Sequence, residues 1–228
     1  IFECKFGGFK IKKKFFLKYL YIFQILFLVQ ACSLKNKIDS NFYCEKLNFS
    51  CIQSNKIVLF KTSKGDFEVK LFGYDNPVTV ANFIENIDNN IYVNQKFYKI
   101  VNYNSLKFIH GGVGIKNNIY IERNQTINKI SPSIPLEIKF KEENKPRYKY
   151  QIKNPYETKN LVNTFESGSI AMVKIGKNNS SSTEFFFVTN KIPELDGRYS
   201  IFGKIIKGLD VLEKINKEDF IKEVKISN

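Results

Sequence analysis

The segment 56–72 has an apolar run on each side of a turn, and it limits the possible folds more than any other part of the chain. It reads KIVLFKTSKGDFEVKLF, with Phe67, Val69 and Leu71 separated by charged residues. A period of two residues is typical of a strand with one buried face. Because residues 63–66 (SKGD) have the composition of a turn, the segment predicts a β-hairpin.

A helix is predicted directly after this hairpin. Asn76 and Pro77 are the residue types preferred at a helix N-cap and in its first turn. Apolar residues then recur with the spacing i, i+3, i+4 and i+7, at Val80, Phe83, Ile84 and Ile87. This spacing predicts that one face of the helix is buried in the core.

The rest of the chain predicts an all-β fold. Further strands are expected at 96–101, 106–110, 169–175, 184–189 and 199–206, a short helix at 209–215 and a closing strand in EVKIS at the C-terminal end. Many short strands with two helices and little βαβ alternation favour a β-barrel or sandwich with helical caps. The part 113–166 is rich in Asn, Lys, Pro and Tyr, which predicts a long loop region that is functional or disordered.

Residues 1–31 resemble a signal peptide. Five lysines at positions 10–18 precede a 13-residue apolar run at 19–31, which is short for a membrane span. The stretch LVQAC resembles a bacterial lipobox, so Cys32 is the predicted lipidation site, followed by a polar tether up to residue 55. We expect a membrane-anchored lipoprotein of the cell envelope, periplasmic or on the outer surface; an uncleaved anchor or plain secretion is the alternative.

The charge of the chain is basic but dispersed. Six lysines and one glutamate stand in residues 1–31, so +9 of the formal net charge of +14 belongs to the remainder. The sequence has no arginine-rich run, zinc-ligand pattern or RNA-binding aromatic motif, so we expect no nucleic-acid partner. An anionic membrane or envelope surface fits such a charge better. Cys44 and Cys51 either close a small disulfide loop or remain unpaired thiols.

Several segments together resemble one family. In order they are TSKGDFEVKLF, DNPVTVANFIENI, FYKIV, FIHGG, SIPLEI, GSIAMVK, STEFFFVTN and LDGRYSIFGKIIKGLDVLEKI, and the similarity extends over about residues 56–227. This order resembles that of the cyclophilin-type peptidyl-prolyl cis-trans isomerases. The resemblance implies a closed eight-stranded antiparallel barrel capped by two α-helices, within a domain 56–228 that carries insertions near 113–166. It also implies a monomer that binds proline-containing peptides in an outer groove without a cofactor or metal.

The resemblance implies two catalytic positions, and this sequence departs from the family at both. The arginine of the family's F-H-R motif is Lys99 here, and the glutamine before the Gly-Gly pair is His110. An ammonium is a flexible point donor without the planar fork of a guanidinium, so we expect weakened catalysis. For His110, the only histidine, we expect a neutral ring that makes a hydrogen bond in the groove. A metal ligand, a catalytic base and a packed ring are the alternatives.

The same resemblance implies the peptide-binding residues. They are Phe186, Leu195 and Tyr199 on one wall, Val173 and Lys174 facing the peptide backbone, and Glu184, which we expect to pair with Lys174 across the groove. Lys107 stands where the family has a pocket phenylalanine. Either Phe108 takes over that wall or part of the pocket is lost.

Two functions remain open from the sequence. The first is an envelope-attached prolyl isomerase that assists the folding of exported or envelope proteins. The second is a non-catalytic lipoprotein of the same fold that binds peptides, envelope proteins or host proteins. The fold alone does not separate the two, because function depends on the residues of the site.

Overall fold

The computed structural model describes residues 44, 49–114, 120–123, 126–129, 131 and 133–227. The described residues from Phe49 onward form one compact unit. The predicted signal peptide, the lipidation site Cys32 and most of the predicted tether lie outside the described residues. Cys44 and Cys51 are both disulfide-bonded.

The chain is mainly β. Its strands are β1 (Lys56–Thr62), β2 (Gly65–Leu71), β3 (Lys99–Tyr103), β4 (Leu106–Gly111), β5 (Tyr120–Arg123), β6 (Thr126–Lys129), β7 (Ser133–Pro135), β8 (Glu137–Ile138), β9 (Arg147–Tyr148), β10 (Ser169–Ile175), β11 (Asn179–Val188), β12 (Ile201–Lys207) and β13 (Ile221–Ile226). The α-helices are α1 (Pro77–Asp88) and α2 (Leu209–Lys214), and 3-10 helices span Pro155–Asn160 and Pro193–Leu195.

The main sheet is antiparallel and curls into a half-barrel. Its strand order is β13-β1-β2-β12-β10-β11-β4-β3, and β7 pairs with β11 beside this path. In the part of the chain that the structure describes, no ladder joins the end strands β3 and β13. A single bridge between Lys96 and Phe220 lies just before those two strands. The closed barrel that the sequence predicts is therefore not confirmed, whereas the mainly β antiparallel sheet is.

The concave side of the sheet holds an aromatic core. Phe60 and Phe67 face each other across the β1–β2 hairpin with ring centroids 4.9 Å apart. The α1 helix contributes Phe83, whose ring lies 5.7 Å from that of Phe185. Complete burial of such a side chain contributes about 1.5–3 kcal/mol to folding. The predicted helix stripe and the predicted strand alternation thus meet in one core.

The N-terminus of α1 is capped differently from the prediction. Asn76 occupies the N-cap position but makes no side-chain cap hydrogen bond, and its amide donates instead to the backbone carbonyl of Glu137. The backbone N–H groups of Val78 and Thr79 donate to the two carboxylate oxygens of Glu137, at 3.1 and 2.7 Å. The buried carboxylate therefore binds the donors that a helix leaves free at its start.

Two predicted boundaries require correction. Phe49, Cys51 and Ile52 pack against the main core, so the last part of the predicted tether belongs to the compact unit. The described part of 113–166 contains strands and a 3-10 helix rather than a long irregular loop. Its side chains form a small core of their own with Leu136, Ile138, Phe140, Ile152 and Leu161. Leu136, Ile138 and Phe140 alternate with charged residues, whereas Ile152 and Leu161 join them only through tertiary contacts.

Candidate functional site

A row of side chains crosses three neighbouring strands on the outer face of the sheet. Lys99 of β3 lies opposite His110 of β4, and His110 lies opposite Phe186 of β11. Opposite residues in an antiparallel ladder point to the same face, and their neighbours along each strand point to the other. Ile109 and Phe187, next to two of these residues, are accordingly buried in the core. The ladder register therefore brings three predicted site residues together.

These side chains lie in a groove with a volume of about 340 Å³. The groove is lined by Lys99, Val101, Phe108, His110, Val173, Lys174, Phe186, Leu195 and Tyr199. Eight of the nine residues predicted to be catalytic or peptide-binding are in this lining; Glu184 is not. The size and the mainly apolar lining are suitable for a short peptide segment.

Aromatic rings form the floor of the groove. The Phe186 ring stacks on Phe165 with centroids 5.8 Å apart, and Tyr199 meets it edge-on at 5.2 Å. The His110 ring stacks on the Phe186 ring with centroids 5.4 Å apart. Because aromatic pairs of this kind each stabilise by about 0.5–1.5 kcal/mol beyond burial, the floor is held in one arrangement. A rigid apolar floor is what a proline ring needs for binding.

Phe108, and not Lys107, faces this floor. The Phe108 ring lies 6.0 Å from that of Phe186, so the alternative in which Phe108 takes over the wall agrees with the geometry. Lys107 points to the other side of β4, where its ammonium donates to the carbonyl oxygens of Glu213 and Ile215 at 2.7 and 2.6 Å. There it caps the C-terminal end of α2, a place where positive charge is favourable.

His110 is a neutral ring at physiological pH. Burial, reinforced by the positive charge of Lys99, lowers the pKa of His110 to about 4. A neutral imidazole has one donor and one acceptor nitrogen. It can therefore hold a peptide N–H or C=O in the groove without adding a charge.

The expected ion pair between Glu184 and Lys174 is absent. Glu184 accepts a hydrogen bond from the hydroxyl of Tyr98 at 3.0 Å, and the ammonium of Lys174 donates to the amide oxygen of Gln151 at 2.8 Å. Glu184 is also in hydrogen-bond contact with Ser181. The prediction was wrong because the partners of both residues come from distant parts of the chain.

The Gly111–Gly112 pair allows the strands beside His110 to approach closely. Gly112 has a φ of +97°, and a Cβ there would lie 2.1 Å from the carbonyl oxygen of Thr183. A Cβ on Gly111 would lie 2.9 Å from the ring of Phe185. Side chains other than hydrogen would therefore push β4 away from β11 and distort the row that contains His110 and Phe186.

The sequence analysis did not identify three residues around the groove. Val101 lines the groove. Its position two residues after Lys99 on the same strand predicts that both side chains lie on one face of the sheet. Phe165 supports Phe186 from below, and Gln151 holds Lys174. No local sequence pattern identifies Phe165 or Gln151, because each lies far from its partner in the sequence.

The described residues show neither a metal site nor a spanning helix. No three His, Cys, Asp or Glu side chains gather within them at a spacing that could hold a metal ion. None of the described helices combines the length and the apolar character needed to cross a membrane.

Comparison with known proteins supports one family. The model of the family described as cyclophilin type peptidyl-prolyl cis-trans isomerase matches residues 57–228. A peptidyl-prolyl cis-trans isomerase of Acinetobacter baylyi is 28% identical over 167 residues, which cover 71% of this chain and 72% of that protein. A Helicobacter pylori protein of the same name is 26% identical, with 74% and 85% covered.

A solved structure agrees with the fold. The crystal structure of a Cryptosporidium parvum cyclophilin-type isomerase aligns with a TM-score of 0.54 at 23% identity, covering 77% of this chain and 99% of that chain. At this identity the likeness concerns the fold alone. The residues of the groove have to be interpreted from their own geometry.

Proposed function

Because the chain belongs to the cyclophilin-type peptidyl-prolyl cis-trans isomerase family, we propose that it isomerises X-Pro peptide bonds in the groove lined by Lys99, His110 and Phe186. The observation that carries this proposal is the row of those three residues across β3, β4 and β11. It places a cationic donor, a neutral hydrogen-bonding ring and an apolar aromatic floor next to one another.

The reaction needs no nucleophile. Rotation about an X-Pro bond passes a twisted state in which amide resonance is lost, over a barrier of about 20 kcal/mol. The lone pair of the imide nitrogen becomes localised in that state, so a donor aimed at the nitrogen lowers the barrier. The aromatic floor around Phe186 binds the proline ring, the Lys99 ammonium supplies the donor, and His110 holds the neighbouring peptide group.

Activity below that of an arginine-containing relative is part of the proposal. The Lys99 side chain is exposed and has four rotatable bonds, so its ammonium samples many positions. A guanidinium would hold two donors in one plane. The test is the rate of cis-to-trans conversion of a proline tetrapeptide with the purified protein; a rate equal to that in buffer contradicts the function.

Cellular location and substrate are further parts of the proposal, and they rest on the sequence. The signal-peptide pattern and the LVQAC stretch support lipidation at Cys32 and attachment to the cell envelope. The substrates would then be proline-containing segments of exported proteins, bound by a monomer. Incorporation of labelled fatty acid that is lost in Cys32→Ser tests the anchor, and the mass of the protein in solution tests the monomer.

A second candidate function is peptide binding without turnover. Lys99 favours it, since this one residue lacks the donor geometry that the family's arginine provides. Binding of a proline peptide with no acceleration, and no effect of Lys99→Ala, would support this candidate. Acceleration that depends on Lys99 would exclude it.

A further inference from the structure

Three cations lie in or beside the groove and have no carboxylate partner among the described residues. Lys99 lies on β3 at one side, Lys174 lies at the end of β10 at the other side, and Arg198 follows Leu195 in the loop before β12. Within the described ranges, none of the three takes part in a salt bridge. Lys174 is half-buried and donates only to the neutral amide of Gln151, whereas Arg198 is exposed.

Three carboxyl groups around this part of the groove have other partners. Glu184 is bound by the hydroxyl of Tyr98. Glu166, before β10, pairs with Lys191 at 3.3 Å, and Asp196, two residues before Arg198, accepts the backbone N–H of Phe165 at 2.7 Å. None of the three forms an ion pair with Lys174 or Arg198 in the described part of the chain.

The titration of the groove residues agrees with an excess of positive charge. Burial and then the charge of Arg198 lower the pKa of Lys174, so these two cations lie close enough to repel each other. Burial and then the charge of Lys99 lower the pKa of His110. Two like charges at a partly buried site are unfavourable in the free protein, and a bound anion would relieve this repulsion.

The inserted segment keeps the two cations in place. Gln151 binds Lys174, and the next residue, Ile152, packs against Gly197, where its backbone N–H donates to the Gly197 carbonyl at 3.3 Å. A Cβ at Gly197 would lie 2.3 Å from the Ile152 side chain. The segment thus fixes both the Lys174 side chain and the loop that carries Arg198.

We propose that the groove selects proline-containing segments that carry a carboxylate close to the proline, bound by Lys174 and Arg198. This proposal rests on the proposed function and names the substrate class of the same site. Phe186 lies opposite Ala171 on the neighbouring strand β10, so Lys174 is three residues, or about 10 Å, further along that strand. An extended peptide advances about 3.3–3.6 Å per residue, so the carboxylate belongs within about three residues of the proline.

A peptide series tests the selection. The peptides share one sequence and carry Glu, Gln or Lys at one position, either two residues before or two residues after the proline. The isomerisation rate gives kcat/KM for each peptide. The NMR signals of His110 give the Kd of each peptide. We expect the better-placed Glu peptide to exceed its Gln counterpart by about twofold to fivefold, since an exposed ion pair contributes up to about fivefold. The Lys peptide should fall below the Gln peptide, and added salt should reduce the difference.

Substitutions test whether Lys174 and Arg198 cause the selection. In Lys174→Gln and in Arg198→Gln the Glu-to-Gln ratio should approach one, whereas the matched control Lys222→Gln, an exposed lysine on β13, should keep the ratio. Equal kcat/KM and Kd for all peptides would overturn the selection and leave the proposed function standing. Preferential binding of the Glu peptide without any turnover would support the selection and contradict the proposed function.

Discussion

Lys99 lies directly opposite His110 in the β3–β4 ladder, and the pair combines a cation with a ring that stays neutral. Burial, together with the charge of Lys99, holds the pKa of His110 at about 4. Directly opposite side chains in such a ladder have Cβ atoms about 4.5–5.5 Å apart. A substrate peptide can therefore contact both residues at once. A substitution at one of the two residues should change the electrostatic environment of the other.

The side chain of Lys99 should set the catalytic rate. We expect Lys99→Ala to lower kcat/KM by about tenfold to a hundredfold, because a donor to the twisted imide is lost. Lys99→Arg should raise kcat/KM, because the guanidinium holds its donors in a fixed plane. The isomerisation assay measures both, with Lys222→Arg as the control for charge and size. Equal rates for Lys99→Ala and the unchanged protein would refute the role.

The pH profile should follow His110. Activity should stay constant from neutral pH down to about pH 5 and fall towards pH 4, where the ring becomes charged. Lys99→Met should raise the pKa of His110, yet burial should keep it below the ordinary value of 6.5. NMR titration of this single histidine measures the shift, and Lys222→Met should cause none. A titration near 6.5 in the unchanged protein would contradict the argument.

His110 should also influence stability in acid. Its pKa is lower in the folded chain than in the unfolded chain, so between pH 6.5 and about 4 the unfolded chain binds more protons. The contribution of His110 to the free energy of unfolding should therefore decrease as the pH falls through this window. Denaturant unfolding at several pH values measures this slope, which His110→Gln should remove.

Glu137 should couple α1 to the rest of the fold. Glu137→Gln leaves one of the N–H groups of Val78 and Thr79 facing an amide donor, so we expect the free energy of unfolding to fall by about 1–3 kcal/mol. Denaturant unfolding measures the loss. Glu68→Gln, which removes only the salt bridge between the half-buried Glu68 on β2 and the exposed Lys207 on β12, is the control and should cost less than about 1 kcal/mol.

The carboxyl group of Glu137 also makes stability depend on pH, with a slope opposite in sign to that caused by His110. Burial raises the pKa of Glu137 to about 7, against the lowering effect of the hydrogen bonds from Thr79 and Val78. Between pH 4.5 and 7 the folded chain therefore holds a proton on Glu137 that the unfolded chain has lost, and the contribution of Glu137 to the free energy of unfolding should decrease as the pH rises. This slope should be absent in Glu137→Gln. If the slope persists in that variant, Glu137 is not its source.

Lys107 should matter for stability and not for catalysis. Its ammonium binds the carbonyl oxygens of Glu213 and Ile215, so Lys107→Met should lower the free energy of unfolding by about 1–2 kcal/mol. The residue does not line the groove, and kcat/KM should remain unchanged. A large loss of activity with unchanged stability would show that the side chain reaches the substrate.

Local patterns predicted the regular elements well. The β1–β2 hairpin, the strand at 169–175 and the helix after Pro77 all appear where alternation, turn composition or helical spacing placed them. The strand expected at 96–101 begins three residues later, at Lys99. Residues 96 and 97 make only an isolated bridge and a backbone hydrogen bond with the segment before β13, a contact that depends on the distant C-terminal part of the chain.

The sequence by itself determined the alternating strands, the buried helix face, the family and eight of the residues that line the groove, because each follows from local order or a recognisable motif. The tertiary structure decided the partners of the charged groups. Glu137 caps α1 from about 60 residues away, Lys107 turns to α2, and Lys174 binds Gln151 instead of Glu184. A charged side chain is stabilised by whichever opposite group the fold brings within hydrogen-bond distance, and no local pattern encodes that distance.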